Sequence, residues 1–347
     1  MTYSPAIPEQ VVSGPISIIM MSKRQSHFHD EFALEIRKGL GDQNKKQISP
    51  KYFYDSNGSK LFEEICRQPE YYPWRMEAAI LRKYCQKIVD TCCNKQISII
   101  ELGCGSSTKT RILLQEVLAR QPSLYYFPID VSDSMLNEAI RTLSQEFSHL
   151  RTIGICSEYV QGLISANRFI SGNNQIPDEK LIIFLGSSIG NFEPDESALF
   201  LKEIRSIMGA RDMLLLGFDL RKNVRVLEEA YNDRWGITAK FNLNLLVRIN
   251  RELGGEFNLD RFFHLAYYNP YRNRVEMHLV SDVDQEIYVR RLRETYNFRK
   301  NESIHTENSY KYSLSEIKQV AAGSGFSLKS NFLDEKKWFD VVLLSPV

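Results

Sequence analysis

None of the six cysteines (Cys66, Cys85, Cys92, Cys93, Cys104, Cys156) forms a CxxC pair or stands at a histidine spacing that closes a zinc site. Reduced, mostly buried thiols are expected. The chain also lacks charge imbalance: its formal net charge is +1, and no run of lysine and arginine lies along one face. That removes the electrostatic footprint of a nucleic-acid binder and points to small-molecule partners. Long apolar runs are missing too. The stretch 16–21 is too short for a bilayer span or a signal h-region, and no small-residue cleavage site follows it. A cytoplasmic monomer with no membrane partner is the expectation. His27 and His29 form an HxH just before Asp30 and Glu31. They are either part of a metal site or solvated residues leading into a helix, and with nothing to complete a ligand set, no metal is expected.

What is present is ordinary globular material with many rings, 17 Tyr and 19 Phe, in a chain of 347 residues. That length suits one full α/β domain plus a smaller unit. The first two dozen residues mix Pro, Ser and Gly without period and are expected to form a flexible arm over 1–27. A short amphipathic helix over 28–40 follows, and then an aromatic segment over 52–73 with too many rings and turn residues for plain helix. From residue 76 helices and strands alternate: strands at 97–102, 125–130, 152–156, 181–185 and 213–219, with helices between them. Apolar strands alternating with helices mean a parallel sheet covered on both faces. Beyond 221 the pattern changes to helices at 224–231 and 240–253 and an antiparallel meander over 262–268, 274–281 and 285–292. A helix at 315–322 and strands at 327–332 and 338–344 complete the sheet as an antiparallel edge. The expected division is a catalytic domain of 76–221 with 312–347, and a lid of 28–75 with 222–311.

The first strand of the alternation runs into Glu101-Leu102-Gly103-Cys104-Gly105-Ser106-Ser107. Glycines at a strand-to-helix turn let the backbone turn tightly and approach a ligand. Asp130 closes the next strand, where a carboxylate can accept from both hydroxyls of a ribose. A nicotinamide enzyme would use a third glycine to hold pyrophosphate. Here that glycine is absent and an acidic residue precedes the turn, which favours S-adenosylmethionine, a cation without phosphate. Glu158 and Tyr159, after the third strand, are placed to meet adenine. In Leu185-Gly186-Ser187-Ser188-Ile189-Gly190-Asn191, small residues leave room for a methyl donor. Asn191 is either a substrate donor or a turn residue in the αL region. Asn269-Pro270-Tyr271 lies between two meander strands and reads as a turn.

Tyr52-Phe53-Tyr54-Asp55, Gly58-Ser59-Lys60-Leu61-Phe62, Pro69-Glu70-Tyr71-Tyr72-Pro73, Glu101-Leu102-Gly103 and Phe184-Leu185-Gly186-Ser187 occur in that order. On these stretches the sequence resembles the ergothioneine-pathway histidine Nα-methyltransferases, from about residue 51 onward. The resemblance implies a Rossmann-like methyltransferase sheet with an antiparallel C-terminal edge and a smaller α+β domain. It implies S-adenosylmethionine held by Gly103, Lys109, Asp130, Glu158 and Tyr159, where the family commonly has Asp-Phe at the last two positions. It implies L-histidine held by Tyr71, Asn191 and Tyr231 at its backbone, by Glu307 and Ser309 at its ring, and beside Met277. On the residues alone Glu307 is a solvated strand charge. Tyr54 and Tyr71 are the candidate catalytic side chains, holding the amine and facing the growing cation. The implied product is the trimethylated betaine. The rival readings are methylation of tryptophan or another aromatic amino acid, nicotinamide-dependent oxidoreduction, and binding without turnover.

Overall fold

The computed structural model describes residues 17–21, 25–42, 44–92 and 95–347, with side chains from residue 30 onward. The N-terminal elements are β1 (Ser17–Met21), α1 (Gln25–Gly41), α2 (Ser56–Arg67) and α3 (Tyr72–Cys92). The alternating run follows as β2 (Ser98–Leu102), α4 (Thr110–Leu118), β3 (Leu124–Asp130), α5 (Asp133–Glu146), β4 (Leu150–Cys156), α6 (Tyr159–Ser171), β5 (Lys180–Phe184), α7 (Pro194–Ile207) and β6 (Met213–Asp219). Next come α8 (Val224–Glu229), α9 (Ile237–Leu253), β7 (Phe262–Asn269), β8 (Arg274–Ser281), β9 (Gln285–Val289), β10 (Glu294–Phe298) and β11 (Ser303–Tyr310). The chain closes with α10 (Leu314–Gly323), β12 (Phe326–Leu333) and β13 (Phe339–Pro346).

One eight-stranded sheet has the order β1-β4-β3-β2-β5-β6-β13-β12. Strands β1 to β6 pair parallel, and β13 lies antiparallel between β6 and β12. Ile99 and Ile100 on β2, and Leu181 and Ile182 on β5, are fully buried, because helices cover both faces of a parallel sheet. The direction of strand succession reverses at β2, between β3 and β5, which leaves a crevice at the carboxyl ends of these strands.

A second layer packs over those strand ends. Its apolar cluster joins Phe32, Tyr52 and Tyr72 with Leu227, Leu245, Met277 and Ile304, whereas the clusters flanking the main sheet draw on residues from Ile80 to Leu220 and from Tyr310 to Leu344. Helix α2 starts at Asp55, whose carboxylate accepts from the Gly58 amide at 2.7 Å. A Cβ at Gly58 would fall 1.7 Å from the Phe53 carbonyl oxygen, so only glycine lets this helix sit on the turn before it.

Several expectations change. Residues 17–21, expected in a flexible arm, form the edge strand β1 against β4. The other residues of the arm up to 16, and Cys93, lie outside the described residues, as do the side chains of His27 and His29 in α1. The aromatic segment contains a regular helix, α2, because Leu61, Phe62 and Ile65 share one apolar face. The meander is not continuous: β9 pairs with β10, and β8 takes β11 as its second neighbour. Among the described cysteines only Cys104 is buried; Cys66, Cys85, Cys92 and Cys156 are half-buried. The 270–273 segment is a turn, as read from Asn269-Pro270-Tyr271. No helix of the described residues is long and apolar enough to cross a membrane.

Candidate active site

A cavity of about 560 Å³ opens at the crevice, between the strand ends and the second layer. Its size is that of a small-molecule site. Of the expected site residues, Tyr54, Tyr71, Gly103, Lys109, Asp130, Tyr159, Asn191, Tyr231, Glu307 and Ser309 line it.

The main-sheet wall is built largely of backbone. Gly103 and Gly105 have φ of +73° and +49°, and a Cβ at Gly103 would stand 3.2 Å from the Tyr159 ring. Asp130 accepts the Gly105 and Ser132 amides, each at 2.9 Å, so each carboxylate oxygen keeps lone-pair capacity for a further donor. Tyr159 opens α6 and packs edge-on against Phe184 at 5.1 Å. Glu101 is buried and takes hydroxyl donors from Thr110 and Tyr126, while desolvation pushes its carboxyl up to about 7. Lys109 pairs with the buried Glu77, which also accepts the Gly186 amide at 2.8 Å. Glu77 comes from α3 and had no local signal in the sequence. In the loop after β5, Gly186 and Ser187 have φ of +80° and +57°, and Asn191 ends the 3-10 turn that follows.

An open glycine turn, a ribose-sized carboxylate acceptor and a flanking ring fit a nucleoside, and the Lys109 and Gly186 corner fits the methionyl end. These features suit S-adenosylmethionine.

The opposite wall is built of side chains. Tyr54, Phe62, Tyr71 and Tyr231 form an edge-to-face row, with successive centroids 5.6, 6.1 and 6.3 Å apart. Burial pushes the phenols of Tyr54 and Tyr71 well up, so both remain protonated donors at neutral pH. Glu307 and Ser309 reach the cavity through a β-bulge. His305 pairs with His278, but Glu307 pairs with Met277, so Thr306 is the extra residue on β11. The bulge turns Glu307 to the face opposite His305. Desolvation pushes the Glu307 carboxyl up to about 7, partly countered by Lys311. Ser309 receives hydrogen bonds from the Tyr231 hydroxyl at 2.7 Å and Lys311 Nζ at 2.7 Å.

Two expected residues stand elsewhere. Glu158 is outside the cavity lining and pairs with Lys51 at 3.4 Å, because the chain turns into α6 at Tyr159 and presents that ring instead. Met277, the cross-strand partner of Glu307 on β8, is buried in the second-layer core and is not part of the cavity lining. On the reverse face of β8 and β11, Glu276, His278 and His305 place possible ligand atoms within 4.8 Å of one another. Arg274, Tyr267 and Asn269 already donate to that carboxylate.

Known proteins resemble this chain along most of its length. The histidine N-alpha-methyltransferase of Mycobacterium tuberculosis (strain CDC 1551 / Oshkosh) is 36% identical over 309 residues, covering 89% of this chain and 93% of that one. The enzyme of the same name from Mycolicibacterium smegmatis is 36% identical over 293 residues, 84% and 87% of the two chains. A 4-dimethylallyltryptophan N-methyltransferase of Claviceps purpurea is 26% identical over 322 residues, 87% and 91% of the two chains. The model of the S-adenosylmethionine-dependent, histidine-specific methyltransferases matches residues 32–346. The chain belongs to that family.

Proposed function

We propose that the protein methylates the α-amino nitrogen of L-histidine up to three times, giving the trimethylated betaine used in ergothioneine biosynthesis. The observation that carries this is the meeting of Glu307 and Ser309 with the aromatic row in one cavity opposite the glycine turn. A carboxylate and a hydroxyl satisfy both nitrogens of an imidazole, whereas an indole leaves one of them unmet.

Gly103, Lys109, Asp130 and Tyr159 hold S-adenosylmethionine, whose sulfonium supplies an electrophilic methyl group. Asn191, Tyr71 and Tyr231 hold the amino acid backbone. Tyr54 and Tyr71 orient the neutral amine in line with that methyl, and the rings of the row face the positive charge that builds on nitrogen. In each transfer a nitrogen–carbon bond forms and a carbon–sulfur bond breaks, leaving S-adenosylhomocysteine. The first two transfers each release a proton from nitrogen, and before the first the ammonium also sheds one to give the neutral amine. No side chain acts as covalent nucleophile, and no metal takes part. A monomeric, cytoplasmic enzyme is proposed, divided into a catalytic unit (76–221 and 312–347) and a lid (28–75 and 222–311). The separate apolar clusters of the two layers support that division.

The test is mass spectrometry after incubation with S-adenosylmethionine and an equimolar mixture of the twenty amino acids. Gains of one to three methyls on histidine alone are expected. Gains on tryptophan instead would transfer the reading to the substrate class of the Claviceps relative.

A further inference from the structure

Below the ring end of the cavity lies a buried cation outside the cavity lining. Lys311 is 2% exposed, and its ammonium donates to Ser309 Oγ at 2.7 Å, to the Tyr231 hydroxyl at 3.2 Å and to Asp219 at 2.8 Å. An ammonium has three donors and no acceptor, so these contacts use it completely. Asp219 does not need Lys311 for neutrality, since Lys222 pairs with it and the Tyr72 hydroxyl donates to it at 2.8 Å. Two buried ammonium groups on one carboxylate are costly, and a structural ion pair would need only one of them.

The consequence falls on Ser309. A hydroxyl has two lone pairs and one proton. Lys311 takes one lone pair and the Tyr231 hydroxyl takes the other. The proton is what remains, so Ser309 can meet a ligand only as a donor. Glu307, on the same face of β11, meets the ligand as an acceptor when ionised, and the Lys311 charge favours that form. The groups facing this corner are Asp219 and Lys222 from the end of β6, Tyr72 from α3, Tyr231 after α8, Tyr54 and Tyr71 across the cavity, Tyr268 on β7, and Glu307 itself.

We propose that Lys311 is a positioning residue that fixes the hydrogen-bonding polarity of the ring pocket, one donor and one acceptor, so that the protein binds histidine with its imidazole neutral. A neutral imidazole offers one N–H and one lone pair, matching Glu307 and Ser309. An imidazolium offers two N–H groups, and one of them would face the Ser309 proton. The inference rests on histidine being the substrate.

The experiment is calorimetric titration of histidine into the full chain saturated with S-adenosylhomocysteine, run on the unmodified protein, Lys311→Met and Lys311→Gln, after methylation of histidine by the unmodified protein has been established. Failure of that first step removes the substrate reading, not the polarity argument. Lys311→Met is expected to weaken histidine at pH 8 by about tenfold or more while S-adenosylhomocysteine affinity stays within about threefold. Lys311→Gln, which keeps a donor, recovers part of the loss. In the unmodified protein, affinity for histidine falls as pH drops through the ring value of about 6.5. Equal histidine affinity in Lys311→Met, or parallel loss of both ligands, overturns the proposal. Should Lys311→Met fail to fold, the pH titration decides: affinity that holds or rises as the ring protonates shows that the charged ring is bound, and overturns it.

Discussion

The cavity has two walls made by different means. On the main-sheet side the cavity is lined by a turn: Gly103 and Gly105 at positive φ, with Asp130 pinned by two backbone amides. On the second-layer side it is lined by side chains with buried partners, where Glu307 is set by a bulge and Ser309 by Lys311 and Tyr231. A backbone wall recognises what every S-adenosylmethionine enzyme shares, a nucleoside and an amino acid end. A side-chain wall recognises what distinguishes one substrate from another, and single substitutions should retune it. Changes on the first wall should therefore alter cofactor affinity alone, and changes on the second should alter substrate affinity alone.

The largest expected effect is on the first wall. Asp130→Ala removes the carboxylate proposed to hold the ribose and leaves two amides unpaired. It is expected to weaken S-adenosylmethionine by about a hundredfold or more in calorimetry. A comparable loss of histidine affinity in the saturated complex would break the division of labour.

Glu307→Gln is the matching change on the second wall, with an expected loss of about tenfold or more in histidine affinity and little effect on the cofactor. Its pH behaviour sharpens the test. The Glu307 carboxyl is pushed up to about 7, so the ionised acceptor is present above that value and lost as pH falls through it. Between pH 8 and 6 the unmodified protein should lose histidine affinity more steeply than Glu307→Gln. Stability moves the other way. A raised carboxyl favours the protonated fold, a contribution present at low pH and lost as pH rises through about 7. Melting followed by circular dichroism should show Glu307→Gln gaining on the unmodified protein over that rise.

Smaller effects come next. Gly103→Ala puts a Cβ at a φ of +73° and 3.2 Å from the Tyr159 ring, with an expected cost of about fivefold in cofactor affinity and a few degrees in melting temperature. Tyr71→Phe keeps the ring and loses the hydroxyl. Its expected cost is about threefold to fivefold in the KM for histidine, and unchanged kinetics would take Tyr71 out of substrate binding.

The same contrast explains what was legible in the sequence. The parallel strands announce themselves as apolar runs such as Ile97-Ser98-Ile99-Ile100, and the glycine turn has a local signature. Strand β11 does not, because Ser303-Ile304-His305-Thr306-Glu307-Asn308-Ser309-Tyr310 is mostly polar and its bulge breaks the period of two. Glu307 and Ser309 came from family resemblance; on its residues alone Glu307 read as a solvated charge. The Asp219 and Lys311 pair spans 92 residues, further than any periodicity reaches. The rings of α2 mask its helical period, and Glu158 precedes by one step the Tyr159 that lines the cavity at the start of α6.

The bulge at Thr306 also divides β11 into two addresses. Positions 307 and 309 open onto the cavity, whereas 305 and 308 open onto the reverse face with Glu276. A library meant to change which amino acid is taken should vary Glu307, Ser309 and their β8 neighbours Met277 and Val275, and leave the alternate positions fixed. Deleting Thr306 would restore the regular period and keep those addresses, whereas pairing Thr306 with Met277 at unchanged chain length would turn 307 and 309 to the reverse face, so the pocket depends on register here even when every side chain is kept.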